Sequence, residues 1–232
     1  MMRLTPIVKN IIIINVLVFL IHPLISREML QGTLNDQYDL IQFFGKWFAL
    51  WKLDLIVPNN YASDYVPYVA FVNGEFQPIQ IITHFFTHGG IVHIAFNMLM
   101  FASLGPIVEM VMGSKRFLEF YLFCGIVGGI LVTFFDPSPV PVVGASGALF
   151  GVLVAFALYF PREKLSFFFI GAFEAKKFVI GVVVISAALV IADVVAAGSG
   201  LSVSGGISHF GHLAGAAAGY LYFKVRKYLP VK

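Results

Sequence analysis

The sequence predicts an all-α bundle of six membrane-spanning helices, and three observations carry that prediction. The 232 residues are 59% hydrophobic and only 12% charged, with mean hydropathy +0.90, against roughly 25% charged residues in a soluble domain. Six apolar runs approach the ~20 residues needed to cross hydrocarbon, at approximately 9–25, 91–112, 117–135, 145–161, 178–197 and 207–225. The charges between the runs also sort by side. With the N-terminus cytoplasmic, twelve of the fifteen basic residues, among them Arg3, Lys115, Arg162, Lys176 and Lys224, fall on the inner side. Arg27, Lys46 and Lys52 are left in the first outer loop. That asymmetry orients the chain with both termini inside.

Taken in order, the first run follows Arg3 and Lys9, yet "IHPLISREML" offers no small-x-small cleavage site, so it reads as a retained anchor rather than a signal peptide. The loop after it, about 26–90, is the only large extramembrane part and too small and mixed for a second domain, so residues 1–232 are expected to form one domain. Within that loop "YDLIQFFGKWFALWKLDLIV" predicts an interfacial helix with Trp47 and Trp51 at headgroup level. The second run contains "VHIAFNMLMF", which puts His93 and Asn97 at i and i+4 on one helix face. The third holds Cys124, and a lone cysteine excludes an intrachain disulfide and a CxxC motif. The fourth opens on "GASG", with Ser146 between glycines. Gly147 and Gly151 there, and Gly211, Gly215 and Gly219 in the sixth run, form small-xxx-small faces on which two helix backbones can approach closely.

The second, fourth and sixth runs all pass inward, so Ser146, His93, Asn97 and His212 share a level in the outer half of the membrane. At 1.5 Å per residue His212 lies roughly 8 Å below the start of its run. A serine with a histidine in reach is the minimal activated nucleophile, because the imidazole takes the hydroxyl proton and later returns it to the leaving amine. His93, Asn97 and the Ser146 N–H can donate to a developing oxyanion. Each signal has a plainer reading: a capping serine at a packed helix start, an interhelical histidine, an asparagine bridging two spans. The soluble hydrolase elbow G-x-S-x-G is also broken by Ala148. Their joint occurrence at one depth is what favours acyl transfer.

Other classes fit less well. Glu109, Glu119 and Asp193 fall near the ends of their runs rather than lining a mid-membrane path, and no inverted repeat is visible, which argues against a transporter. His84, His88 and His93 have spacings that suit a metal but lack a carboxylate in register. His84 and His88 read instead as loop-structuring residues, and His209 faces the mouth of the site. No metal and no cofactor is expected. A net charge of +3 without an aromatic-basic cluster gives no reason to expect nucleic acid as a partner.

Together the residues resemble the rhomboid family of intramembrane serine proteases: "HIAFN" is similar to its H-x-x-x-N, "GASG" to its G-x-S-G, and "GHLAGAAAG" to its A/G-H-x-x-G-x-x-x-G. The resemblance implies a six-span rhomboid bundle in a bacterial inner membrane, cleaving transmembrane-protein substrates near the outer face. It further implies Ser146 as nucleophile, His212 as general base and acid, and His93, Asn97 and the Ser146 N–H as oxyanion-hole donors. Phe150, Gly144, Gly147 and Gly215 would support them, a glutamate typical of the second span matches Glu109, and the dyad has no third acid. The implied partners are substrate spans and the bilayer. Two positions depart from the family: Ile79-Gln80 stands where many members carry Trp-Arg, and Phe150 where tyrosine is common. The alternative is a rhomboid-like protein that grips membrane helices without cutting them, although such members lose the serine or histidine that this chain keeps.

Overall fold

The computed structural model describes residues 3–29, 48–50, 76–136, 141–167, 171–197 and 207–226. Among them are seven helices and one β-hairpin: α1 (Pro6–Met29), α2 (Gln80–Thr83) running into a 3-10 turn (His84–Phe86), α3 (Ile91–Met112), α4 (Ser114–Phe135), α5 (Ser146–Tyr159), β1 (Lys164–Phe167), β2 (Gly171–Glu174), α6 (Ala175–Ala197) and α7 (His209–Arg226). Each predicted apolar run falls on one of the long helices, and the chain is an all-α membrane bundle. Among the described residues three helices, α3, α4 and α6, are by length and composition able to cross a membrane. The segment read as an interfacial helix lies outside the described residues, apart from Phe48, Ala49 and Leu50. The short antiparallel hairpin, Lys164 opposite Glu174, stands where the sequence reading had only a loop.

The break between α3 and α4 is a single residue. Gly113 has φ +80°, a conformation costly for any side chain, and its N–H closes α3 onto the Glu109 carbonyl at 2.8 Å while its own carbonyl starts α4. α5 occupies the centre. Ten of its 14 residues, Ala148 to Ala157, are buried, as expected for a helix apolar on every side. It packs against α3, α4, α6 and α7. α6 is the opposite case: it leans on α5, α7 and the hairpin, and only 6% of its apolar window is covered by protein, against 44% for α3 and 50% for α4. Ile180, Val184, Ile185, Ile191 and Val195 are among its exposed side chains. Such a face suits a lipid surrounding.

One buried charge ties the first helix to the bundle. Glu109, 1% exposed near the end of α3, accepts hydrogen bonds from the N–H groups of Ile7 and Val8, from the Thr5 hydroxyl and from the Ser114 hydroxyl. Those amides belong to the first turn of α1, which has no carbonyl of its own to offer them. The carboxylate therefore caps α1 in trans and fixes it antiparallel to α3. Glu109→Ala strands several buried donors and is expected to cost at least about 2 kcal/mol. The check is thermal unfolding in detergent, with Glu109→Gln falling between the alanine variant and wild type.

Candidate active site

The starts of α3, α5 and α7 meet at one end of the bundle, and glycine backbones bring them together. A Cβ on Gly215 would lie 1.9 Å from the Gly147 carbonyl oxygen, one on Gly219 2.8 Å from Gly151 Cα, and one on Gly147 3.3 Å from the Gly211 oxygen. α5 and α7 therefore touch backbone to backbone beside Ser146. Ser146 itself is the first residue of α5 and half-buried. The N–H groups of this first turn have no intrahelical acceptor, so they are available to an anion.

The segment that delivers Ser146 is held at successive residues. Val142 forms both hydrogen bonds of an antiparallel bridge with Leu50, at 2.9 and 3.0 Å. Gly144 N–H donates to the His84 carbonyl at 2.9 Å, and Ala145 N–H points to His88 Nε2 at 3.5 Å, a long contact. Burial pushes the His88 imidazole down to about 3 and the His84 imidazole down to about 4. Both rings are neutral at neutral pH, which leaves His88 Nε2 a lone pair for the Ala145 amide. His84 turns the other way, Nδ1–H donating to Gln80 O at 2.7 Å with its edge against Gly129 of α4. At the family's Trp-Arg position, Gln80 is fully buried and Ile79 is 46% exposed.

Gly144 is required twice over. Its φ is +116°, and a Cβ there would sit 2.6 Å from His93 Nε2, 2.7 Å from His93 Cε1 and 3.8 Å from Asn97 Nδ2. The imidazole and the amide thus lie directly against the backbone leading into Ser146. Asn97 Nδ2 donates one hydrogen to its own helix at His93 O, 3.1 Å. An amide has two such hydrogens, so the second is free to point at a ligand.

His212 is half-buried in the first turns of α7 and lies flat on Phe150, with centroids 4.2 Å apart and planes 8° from parallel. Phe150 is one turn beyond Ser146 on the same face of α5. No hydrogen bond joins the Ser146 hydroxyl to the His212 ring in this structure; such contacts are commonly long before substrate binds. The His209 ring stands edge-on to His212 at 5.6 Å. Serine, imidazole, amide and first-turn N–H groups in one place can support nucleophilic attack on a carbonyl and stabilise the oxyanion formed. A cavity of about 680 Å³ runs elsewhere, from Leu213 to the Pro161 and Lys176 end of α5, α6 and α7.

One contact at the start of α7 escaped sequence reasoning. Asp136, just past the end of α4, accepts a hydrogen bond from the Ser208 hydroxyl at 2.7 Å. Ser208 in turn caps α7, accepting the Gly211 N–H at 2.9 Å. The two residues are 72 positions apart. The serine preceding "HFGH" was a readable capping signal; its acidic partner was not.

Comparison with known proteins bears on the same region. The family model described as the rhomboid domain matches residues 75–228, about two-thirds of the chain and every long helix but α1. Rhomboid protease GluP of Bacillus subtilis is 49% identical over 76 residues, 33% of this chain and 15% of that protein. RHOMBOID-like protein 4 of Arabidopsis thaliana is 37% identical over 134 residues, 58% of this chain and 30% of that protein. RHOMBOID-like protein 1 of the same plant is 27% identical over 219 residues, 92% of this chain and 51% of that protein. The chain thus spans about half or less of the length of these relatives.

Proposed function

Because this chain belongs to the rhomboid family, we propose that it is an intramembrane serine endopeptidase working through a Ser146–His212 dyad. The observation that carries the reading is the stacking of His212 on Phe150, one turn from a serine whose helix start lies against His93 and Asn97. In the proposed reaction His212 accepts the Ser146 proton as Oγ attacks a peptide carbonyl. The oxyanion is held by His93, Asn97 and the Ser146 N–H. As the C–N bond breaks, the imidazolium returns the proton to the leaving amine, and water then releases the acyl group by the reverse exchange.

The chain is an integral membrane protein. Its proposed setting is a bacterial inner membrane, with one six-span domain over residues 1–232, both termini cytoplasmic and the site open to the outer side. The basic residues of the inner loops support this orientation. Substrates would be transmembrane proteins entering sideways past α6, whose sparse cover by protein supports such a path.

The test is incubation of the purified chain with a fluorophosphonate and, separately, with a single-span substrate in phospholipid vesicles. Labelling of Ser146 and cleavage of the substrate are expected. Binding without labelling or cleavage would instead leave a protein that only grips membrane helices. Phe150 gives a finer readout: Phe150→Tyr is expected to keep most activity, while Phe150→Leu keeps apolar volume but loses the ring under the imidazolium, a contact of about 0.5–2 kcal/mol. Turnover is expected to fall about 2- to 30-fold with little change in Tm. Wild-type turnover in Phe150→Leu reduces the residue to packing.

A further inference from the structure

We propose that Asp136 and Ser208 form the lock that aims His212, with Asp136 a positioning residue acting through the serine. The inference rests on the dyad reading above and deepens it. Asp136 is 4% exposed, and a carboxylate so placed needs a hydrogen-bonding partner. Ser208 supplies one, its Oγ–H donating to Oδ2 at 2.7 Å. The same Oγ accepts the Gly211 N–H at 2.9 Å, and the Ser208 carbonyl accepts the His212 N–H at 3.2 Å. The backbone amide of His212 and the amide next to it are therefore both tied to Ser208.

A serine hydroxyl has one proton and rotates to suit its neighbours. With Asp136 taking the proton, the rotor is fixed and the oxygen lone pairs face the N–H groups of α7. A negative group at this helix start is also favoured by the helix dipole. The turn has little room to drift: a Cβ on Gly211 would be 3.0 Å from Ser208 Oγ and 3.6 Å from Val132 Cγ2 of α4, and the Gly211 carbonyl faces Gly147 on α5. Phe150 fixes the plane of the imidazole from α5, and the Asp136–Ser208 pair fixes the backbone that carries it. Without the pair, His212 can sample positions about an ångström from alignment, which lowers turnover without weakening capture of a substrate span.

The experiment uses the full chain in phosphatidylcholine–phosphatidylglycerol vesicles, with wild type, Asp136→Ala, Ser208→Ala, the double variant and Ser208→Thr. Rates are taken per folded molecule, well below each Tm. Each alanine variant is expected to lose about 10- to 100-fold in kcat, with KM little changed and fluorophosphonate labelling of Ser146 slowed by the same factor. The double variant should be no worse than the poorer single, because the two groups act as one unit. Ser208→Thr, which keeps the hydroxyl cap, should recover most of the rate. Amide exchange supplies a readout free of catalysis: in Ser208→Ala the Gly211 and His212 amides should exchange faster. A lowered Tm with wild-type kcat and labelling rate would overturn the proposal by leaving only a structural role. Unchanged exchange at Gly211 and His212 would overturn the lock itself. A wild-type chain that neither cleaves nor labels overturns the dyad reading alone, since the exchange measurement still decides the lock.

Discussion

Ser146→Ala is expected to abolish cleavage, leaving turnover at least about 10⁴-fold below wild type, while the protein stays folded. The change removes one oxygen from a half-buried helix start whose packing is made by neighbouring glycines rather than by the hydroxyl. Stability should accordingly move by no more than about 0.5 kcal/mol. Cleavage of a single-span substrate in vesicles, read beside Tm, is the measurement. His212→Ala should be equally inert and lose fluorophosphonate labelling, and the double variant should be no worse than either single, because nucleophile and base work as a unit. Residual cleavage near the wild-type rate in Ser146→Ala would move the nucleophile elsewhere.

Gly215→Ala is the architectural counterpart. The added methyl would lie 1.9 Å from the Gly147 oxygen and 2.5 Å from its carbonyl carbon. Backbone cannot rotate aside as a side chain can, so α5 and α7 must separate. The expected loss is about 3 kcal/mol or more, and activity should fall with it as the imidazole is drawn from the serine. Gly128→Ala is the internal control, since its methyl would meet Gly215 Cα at an ordinary 3.5 Å. A Gly215→Ala protein with the Tm of Gly128→Ala would disprove the close approach.

Much of this organisation was legible in the sequence, because a helix running through lipid has few ways to satisfy its backbone and its length follows from the bilayer. The six runs fall on six helices, and glycines spaced by four mark the faces that touch. The grouping of His93, Asn97, Ser146 and His212 at one end was also legible, since depth along parallel helices follows from residue count. Contacts made across loops were not. Nothing local ties Leu50 to Val142, His84 to Gly144 or Asp136 to Ser208. The hairpin at 164–174 was missed for a different reason: four-residue strands are too short for their alternation to stand out.

The shortness of α5 has a consequence for solvent. Fourteen residues rise about 21 Å, some 9 Å less than a hydrocarbon core of ~30 Å. Placed with its Tyr159 end at one interface, the helix would stop short of the other, with Ser146 at that recessed end. The hydrolysis proposed for Ser146 consumes water, so water would have to reach that recessed end from the nearer interface. Bilayer thickness would then set how far Ser146 is recessed, and a thinner membrane would bring the serine nearer to bulk water with no change in the protein.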